Sequence, residues 1–316
     1  LSGSGGNNAV NTNNTLSKDK FITIVLIINQ AILIAFTNIA SKQAAMELDA
    51  FVISFFRYVI GVLALGMIVL IRGSKIRIDW SDWKKLIFLM FMGMSLNQVL
   101  FAQALKYTIP SHPPLIYALT PIVIILIDII RKRKLASNQI VIASILSLIG
   151  VGIVLGKNIL IFNSSILLGD GLVFLAMLCW SLYTAFGKPM VHKYGSLELL
   201  LILLSGATIL YAPWGIHRLL QADLSLITIK GWSSIVYLGI FSSGMAYLNY
   251  FAILKRIDPT QTGLIISTHP PATIILSILF GYEVFQWNVI AGTVLIIVAL
   301  WIAQKKMKEK ISVPEI

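Results

Sequence analysis

Charge is what this sequence has least of. Only 12% of its 316 residues are Asp, Glu, Lys or Arg, whereas 57% are hydrophobic, and the mean hydropathy is +0.87. A water-soluble domain covers its surface with about 25% charged residues, so this composition excludes a soluble enzyme of ordinary build. A single cysteine, Cys179, excludes a disulfide framework and a thiolate metal site, and reads as a small packing residue in an apolar run. Neither His112 nor His269 has a second ligand at i+3 or i+4, so no metal site is expected. The phosphate-cradling pattern G-x-x-x-x-G-K-[ST] is missing, which argues against direct coupling to ATP, and no cofactor is implied. The first twenty residues are polar and lack the hydrophobic core and cleavage site of a signal peptide; they read as a disordered cytoplasmic tail.

What the chain does have is long apolar runs. A helix needs about 20 mostly apolar residues to cross a hydrocarbon core about 30 Å thick. About ten such stretches can be drawn, at 21–41, 50–71, 86–106, 111–130 and 138–156, then 168–187, 197–216, 232–254, 260–281 and 287–304. The expected fold is an all-α integral membrane protein of ten transmembrane helices. It comprises a tail (1–20), a first five-helix unit (21–156), a second (168–304) and a cytoplasmic C-terminal tail (305–316). Trp80, Trp83, Trp232, Trp287 and Trp301 fall near span ends, where amphipathic rings are comfortable. Pro110 and Pro259 each open a span, where a missing N–H costs least. Gly61, Gly66, Gly150, Gly152, Gly281 and Gly292 are expected to serve close helix packing.

Basic residues set the orientation. With a cytoplasmic N-terminus, nineteen of the 25 fall on the cytoplasmic side and five on the other, with Arg57 left inside a span. The bias toward cytoplasmic Lys and Arg therefore places both termini in the cytoplasm. The net charge of +12 then needs no nucleic acid, because the cations face anionic lipid headgroups.

The two units also resemble each other. Sliding the chain along itself lays FAQALKYTIPSHPPLIYALTP, from Phe101, over YFAILKRIDPTQTGLIISTHP, from Tyr250. Lys106 then meets Lys255, Pro110 meets Pro259 and Pro121 meets Pro270 without a gap, while a neighbouring register lays Lys42 over Lys188. Five spans per unit is an odd number, so the second unit enters the membrane upside down. Inverted repeats of this kind let secondary transporters build two alternative conformations from one plan.

Polar side chains within spans are costly unless they face other helices or a wet cavity, so each is a candidate for function. Gln30 and Asn38 lie in the first span, Arg57 in the second, Gln98 in the third and Tyr117 in the fourth. Trp180 and Tyr183 lie in the sixth, Tyr247, Asn249 and Tyr250 in the eighth, and His269 in the ninth. For each there is a plainer alternative: Ser, Thr and Asn often only join helices, Tyr and Trp often anchor at interfaces, and Arg57 could snorkel. His112 and His269 are candidates for proton coupling, since imidazole titrates near physiological pH. Pro121, Pro270 and Pro271 interrupt the fourth and ninth spans and supply kinks.

ALKYT before a proline-bearing span, ALTP within the next, ISFFRY in the second span and the five-plus-five plan resemble the drug/metabolite transporter superfamily, specifically its EamA-type ten-helix members. The likeness covers residues 21–304. One departure stands out: Glu283 follows the ninth span, but Lys134 holds the corresponding place in the first unit. The resemblance implies a bacterial inner-membrane secondary carrier. Its central cavity would be lined by the first, third, fourth, sixth, eighth and ninth spans, on which the polar stripes would converge. The implied partners are a small-molecule substrate and membrane lipids; oligomeric state stays open. A neutral, aromatic inventory favours an amino acid or similar amphipathic solute, and the resemblance implies its export. A carrier of phosphorylated or nucleotide-linked sugars should show several deep cations, and an intramembrane enzyme or channel is the alternative of another class.

Overall fold

The computed structural model describes residues 6–104, 106–108, 112–132, 137–155, 164–279 and 287–311. Among these residues there are helices and turns and no strand. We label the helices α1 (Gly6–Ala45), α2 (Ala50–Arg72), α3 (Trp80–Ala104), α4 (His112–Tyr117), α5 (Thr120–Lys132) and α6 (Asn138–Leu155). They continue as α7 (Ser164–Tyr194), α8 (Ser196–Leu219), α9 (Ile229–Arg256), α10 (Pro259–Ile265), α11 (His269–Leu279) and α12 (Trp287–Ile311). Six of them, α1, α2, α3, α7, α8 and α9, are long and apolar enough to cross a membrane, and α6 and α12 are shorter apolar helices.

The ends follow local chemistry. Asp49 caps α2 by accepting the Phe51 N–H at 2.9 Å, and Gly73, with φ of 62°, closes it in a left-handed turn open to glycine. Thr228 caps α9 through the Gly231 N–H at 3.2 Å. Asp258 and Gln261 form a capping box around Pro259, as expected for a proline that opens a helix; Pro110 lies outside the described residues. Helix α1 begins at Gly6 and α12 continues to Ile311, so each terminal helix runs into the polar segment beside it. Extending an existing helix adds one hydrogen bond per residue without a new nucleus, so a polar flank can continue an apolar span.

The segments expected to form the fourth and ninth spans are each broken into two helices, not merely kinked. After Tyr117 the chain turns through Ala118 and Leu119, and after Ile265 it tightens into a 3₁₀ turn at Ile266–Thr268. Each break sits just ahead of the prolines, Pro121 or Pro270 and Pro271, which cannot donate to the preceding turn. In each break a threonine hydroxyl takes up a carbonyl three residues back, Thr120 to Tyr117 and Thr268 to Ile265, both at 2.6 Å. A second irregularity pairs in the same way. Helix α3 loosens into a π segment at Met90–Leu96, and α9 does so at Leu238–Ala246. The register that lays Phe101 on Tyr250 also lays Met90 on Gly239 and Ala118 on Ser267, so both irregularities recur at matching places.

Packing is that of a protein solvated by lipid. Leu63, Met67, Leu70, Ile71, Ile130 and Ile209 are all exposed, a surface that would aggregate in water. Trp80, Trp83, Trp287 and Trp301 are exposed as well, as expected of interfacial rings. Helices touch through small residues. A Cβ at Gly150 would come within 3.0 Å of the Gly292 carbonyl oxygen across the α6–α12 contact, and one at Gly61 within 3.2 Å of the Gly239 carbonyl oxygen. Gly66 faces open space and Gly152 touches only Leu115, so those two are not packing glycines; Gly281 lies outside the described residues. Many buried hydroxyls bond back to their own helix: Thr37 to Leu33, Ser144 to Ile140 and Ser181 to Met177, each at 2.8 Å.

The helix ends gather into two sets. In one, Lys193 reaches Asp79 and Asp82, and Lys188 reaches the Ile257 carbonyl oxygen at 2.8 Å. In the other, Glu47 accepts from the Thr228 backbone and hydroxyl at 2.8 Å, and Lys106 and Arg218 both lie over the Phe51 ring. Lys188 does not end its helix, which runs on to Tyr194.

Candidate functional site

Two polar knots join helices in the interior. Asn249 on α9 donates to the Leu26 carbonyl oxygen at 2.7 Å and to Gln30 Oε1 at 2.8 Å on α1, and Asn29 donates back to its Oδ1 at 3.4 Å. Asn97 on α3 donates to the Tyr117 hydroxyl at 2.8 Å and to the Ala176 carbonyl oxygen on α7 at 2.7 Å. Buried amides of this kind are saturated by protein, as burial of a polar group requires. Gln30 and Asn249 are therefore joints between helices. Asn38 is one too, but on an exposed stretch, donating to Thr273 on α11 at 2.8 Å.

Beside these knots lies an aromatic cluster with a different balance. Trp180 on α7 has ring neighbours Tyr183 at 5.3 Å, Tyr250 at 5.1 Å and Tyr247 at 5.9 Å. Tyr183 stacks on Phe251 at 5.8 Å, and the Tyr250 hydroxyl shares a 2.7 Å hydrogen bond with Thr184. The Gln98 side chain lies near the Tyr247 hydroxyl. Helix α3 can come this close because Gly93 has no side chain: a Cβ there would run into the Tyr183 ring. Trp180 Nε1 comes near the Tyr250 hydroxyl without the geometry of a hydrogen bond. It and the Tyr183 hydroxyl are buried without a partner among the described residues, as is the Ser95 hydroxyl in the α3 π segment. Leaving a buried donor unpaired costs about 1–3 kcal/mol, so these groups, like the Tyr211 hydroxyl and His269 Nε2 elsewhere in the interior, are candidates for contact with a polar group from outside the chain.

Helix α2 ties both π segments to this cluster through adjacent residues. Tyr58, fully buried, donates to the Met94 carbonyl oxygen at 2.6 Å in the α3 segment. Arg57 donates from Nε to Ser243 and from Nη2 to Ser242, both at 3.0 Å, in the α9 segment. π segments recur at functional sites because they free backbone groups and shift side chains out of helical register. Arg57 is thus turned toward α9 by its two serine contacts, with its side chain half-buried.

The candidates from the sequence divide accordingly. Gln98, Trp180, Tyr183, Tyr247 and Tyr250 meet in the cluster; Tyr117 and Arg57 border it through Asn97 and Tyr247. His269 opens α11, and its Nε2 is buried without a partner among the described residues, but no contact joins it to the aromatic rings. His112 is the first residue of α4, with its side chain outside the described residues, as are Lys134 and Glu283. Sequence reasoning missed Tyr58, Ser242 and Ser243. The consecutive Ser242-Ser243-Gly244 in mid-span was the available signal.

Outside the apolar region, Lys193 on α7 joins Asp79 at 2.7 Å and also Asp82, which Lys85 reaches at 3.1 Å and Tyr194 at 3.0 Å. The Lys193 ammonium beside them holds both carboxyls below the ordinary carboxylate range, and they in turn push Lys193 above its usual value. This network links the α2–α3 connection to the end of α7.

The EamA-like transporter family matches the chain twice, over residues 21–156 and 167–304, one match on each side of the α6–α7 connection. This chain belongs to that family. A protein of Archaeoglobus fulgidus described as an "Uncharacterized transporter" is 25% identical over 276 residues, spanning 86% of this chain and 94% of the relative. The "Uncharacterized transporter YyaM" of Bacillus subtilis is 29% identical over 217 residues, 68% of this chain and 70% of its own length. The "Uncharacterized inner membrane transporter YhbE" of Escherichia coli is 26% identical over 274 residues, 81% and 80%. A solved crystal structure shares the fold with a TM-score of 0.74 at 18% identity, covering 90% of this chain and 97% of that one. An EamA-like chain is a membrane transporter, not an enzyme. Its double match agrees with the recurrence of π segments and helix breaks.

Proposed function

We propose that this EamA-like transporter is a secondary carrier that moves a small amphipathic metabolite, such as an amino acid, outward across a bacterial inner membrane by alternating access. In this reading α4 with α5, and α10 with α11, each form one broken crossing, which brings the crossings to ten, five per half, with the halves inverted. Both termini then lie in the cytoplasm with the Lys193 network. The observation that carries the proposal is the coincidence of π segments and helix breaks at matching positions of the two halves. Irregular backbone survives at membrane depth only where protein or a wet cavity satisfies it. Two such pairs give each half the same set of points at which to bend, as alternating access through repeats requires.

The solute would lie against Trp180, Tyr183, Tyr247 and Tyr250, with the unpaired indole and phenol groups as its hydrogen-bonding partners. Protons would couple through His269 or His112. Replacing His269 with Gln should flatten the pH dependence of transport, and an unchanged profile would remove that assignment. Counterflow in proteoliposomes tests the carrier itself. Preloading with unlabelled solute should speed saturable entry of the labelled form, whereas linear, unsaturable entry would indicate a pore.

A further inference from the structure

We infer that Arg57 is the anion-recognising end of the transport site, so that the transported solute is an organic carboxylate with an apolar or aromatic body. The inference rests on the carrier function proposed above and adds the chemical class of the cargo. A guanidinium offers five N–H donors in a planar fork that matches a carboxylate. Two of them are used, on Ser243 and Ser242, which are 0% and 2% exposed. Among the described residues no carboxylate forms an ion pair with Arg57; the ion pairs there belong to Asp79, Asp82 and Asp258. Serine hydroxyls fix the fork in place but carry no charge, so among the described residues no ion pair compensates the half-buried Arg57 charge. A carboxylate would supply both the countercharge and acceptors for the unused donors.

Position supports the same conclusion. The Arg57 charge acts on the neighbouring Tyr58 and on Tyr247, and the Tyr247 ring meets Trp180 at 5.9 Å. The charge therefore lies beside the aromatic cluster that holds the unpaired Trp180 Nε1 and Tyr183 hydroxyl. A cation beside rings and neutral donors suits a solute with a carboxylate head and an apolar body. One cation does not suit a phosphoryl dianion, which calls for several.

The test uses the purified full-length chain in proteoliposomes with L-leucine, L-phenylalanine and 3-phenylpropionate, each paired with its carboxamide. Counterflow and ligand-induced thermal shift are read for all six. Acids should outperform their amides by about tenfold or more, the difference a charge-assisted hydrogen bond supplies. Arg57→Gln should erase that preference and Arg57→Lys should keep part of it. Equal response to acid and amide in the unaltered protein overturns the assignment, as does a preference that survives Arg57→Gln. Should Arg57→Gln fail to fold, the acid-to-amide ratio of the unaltered protein and of Arg57→Lys decides. If none of the six is bound or moved while some other class of solute is, the carboxylate subsite falls and the carrier stands. If no solute moves, both fall.

Discussion

Asn249 and Trp180 sit on facing helices in the same apolar interior, yet they are treated in opposite ways. Asn249 spends every side-chain group on protein, two donors on α1 and an acceptor on Asn29. Trp180 lies among three tyrosine rings with its one donor unspent. In a membrane both should be expensive, and only the first is covered by contacts within the chain. On the function proposed above, the difference separates joints from sites: a saturated polar group holds helices together, while an unsaturated one beside aromatic rings is open to a ligand. By that criterion the Gln30–Asn249 and Asn97–Tyr117 knots are joints in the proposed carrier, and Trp180 and Tyr183 are its proposed contacts with the solute.

The sharpest way to break this contrast is at Gly93. A Val there would drive its side chain into the Tyr183 ring, so we expect a loss of about 1–3 kcal/mol of stability by overpacking and no measurable counterflow. Thermal unfolding in detergent together with uptake assays checks both. Next comes Asn249→Ala, which strands Gln30 Oε1 and removes a second donor from the Leu26 carbonyl oxygen. It should cost about 1–2 kcal/mol in chemical unfolding while the KM for a transported solute changes by less than about twofold (about 0.4 kcal/mol). Tyr183→Phe should do the reverse. Its hydroxyl has no partner to lose, so stability should hold within about 0.5 kcal/mol while KM rises severalfold. The smallest effect belongs to the Lys193 network. Because Asp79 and Asp82 are lowered, their contribution is present above the ordinary carboxylate value of about 4 and is lost as pH falls below it. Lys193 is raised, so its contribution is present below about 10.5 and is lost only as pH climbs through the higher folded value. Stability should be insensitive to this network between about pH 5 and 9, decline in acid, and lose that acid sensitivity in Asp82→Asn; equal acid sensitivity in the variant would show that other carboxylates carry it.

The apolar runs, the helix start at Pro259 and the paired halves were legible in the sequence, because length, turn chemistry and repetition are local or periodic signals. Prolines foretold where α4 and α5 separate, though not that Ala118 and Leu119 would turn outright. The π segments were not legible, since no composition distinguishes MFMGMSL or LGIFSSGMA from ordinary helix; packing against Arg57, Tyr58 and Tyr183 decides them. The aromatic half of the candidate site was readable from Trp180, Tyr183, Tyr247 and Tyr250 at helical spacings. Which amides are joints was not, because saturation depends on the facing helix. Gln30 looked as promising as Gln98 until its partner was known.

The most direct measurement is the thermal stability of Trp180→Phe with and without a transported solute. A ring without the indole N–H should leave the unliganded midpoint within about 2 °C of the original and cut the solute-induced rise by more than half. A midpoint that drops as far as that of Asn249→Ala, with the solute-induced rise intact, would make Trp180 another joint and contradict the distinction between saturated and unsaturated groups.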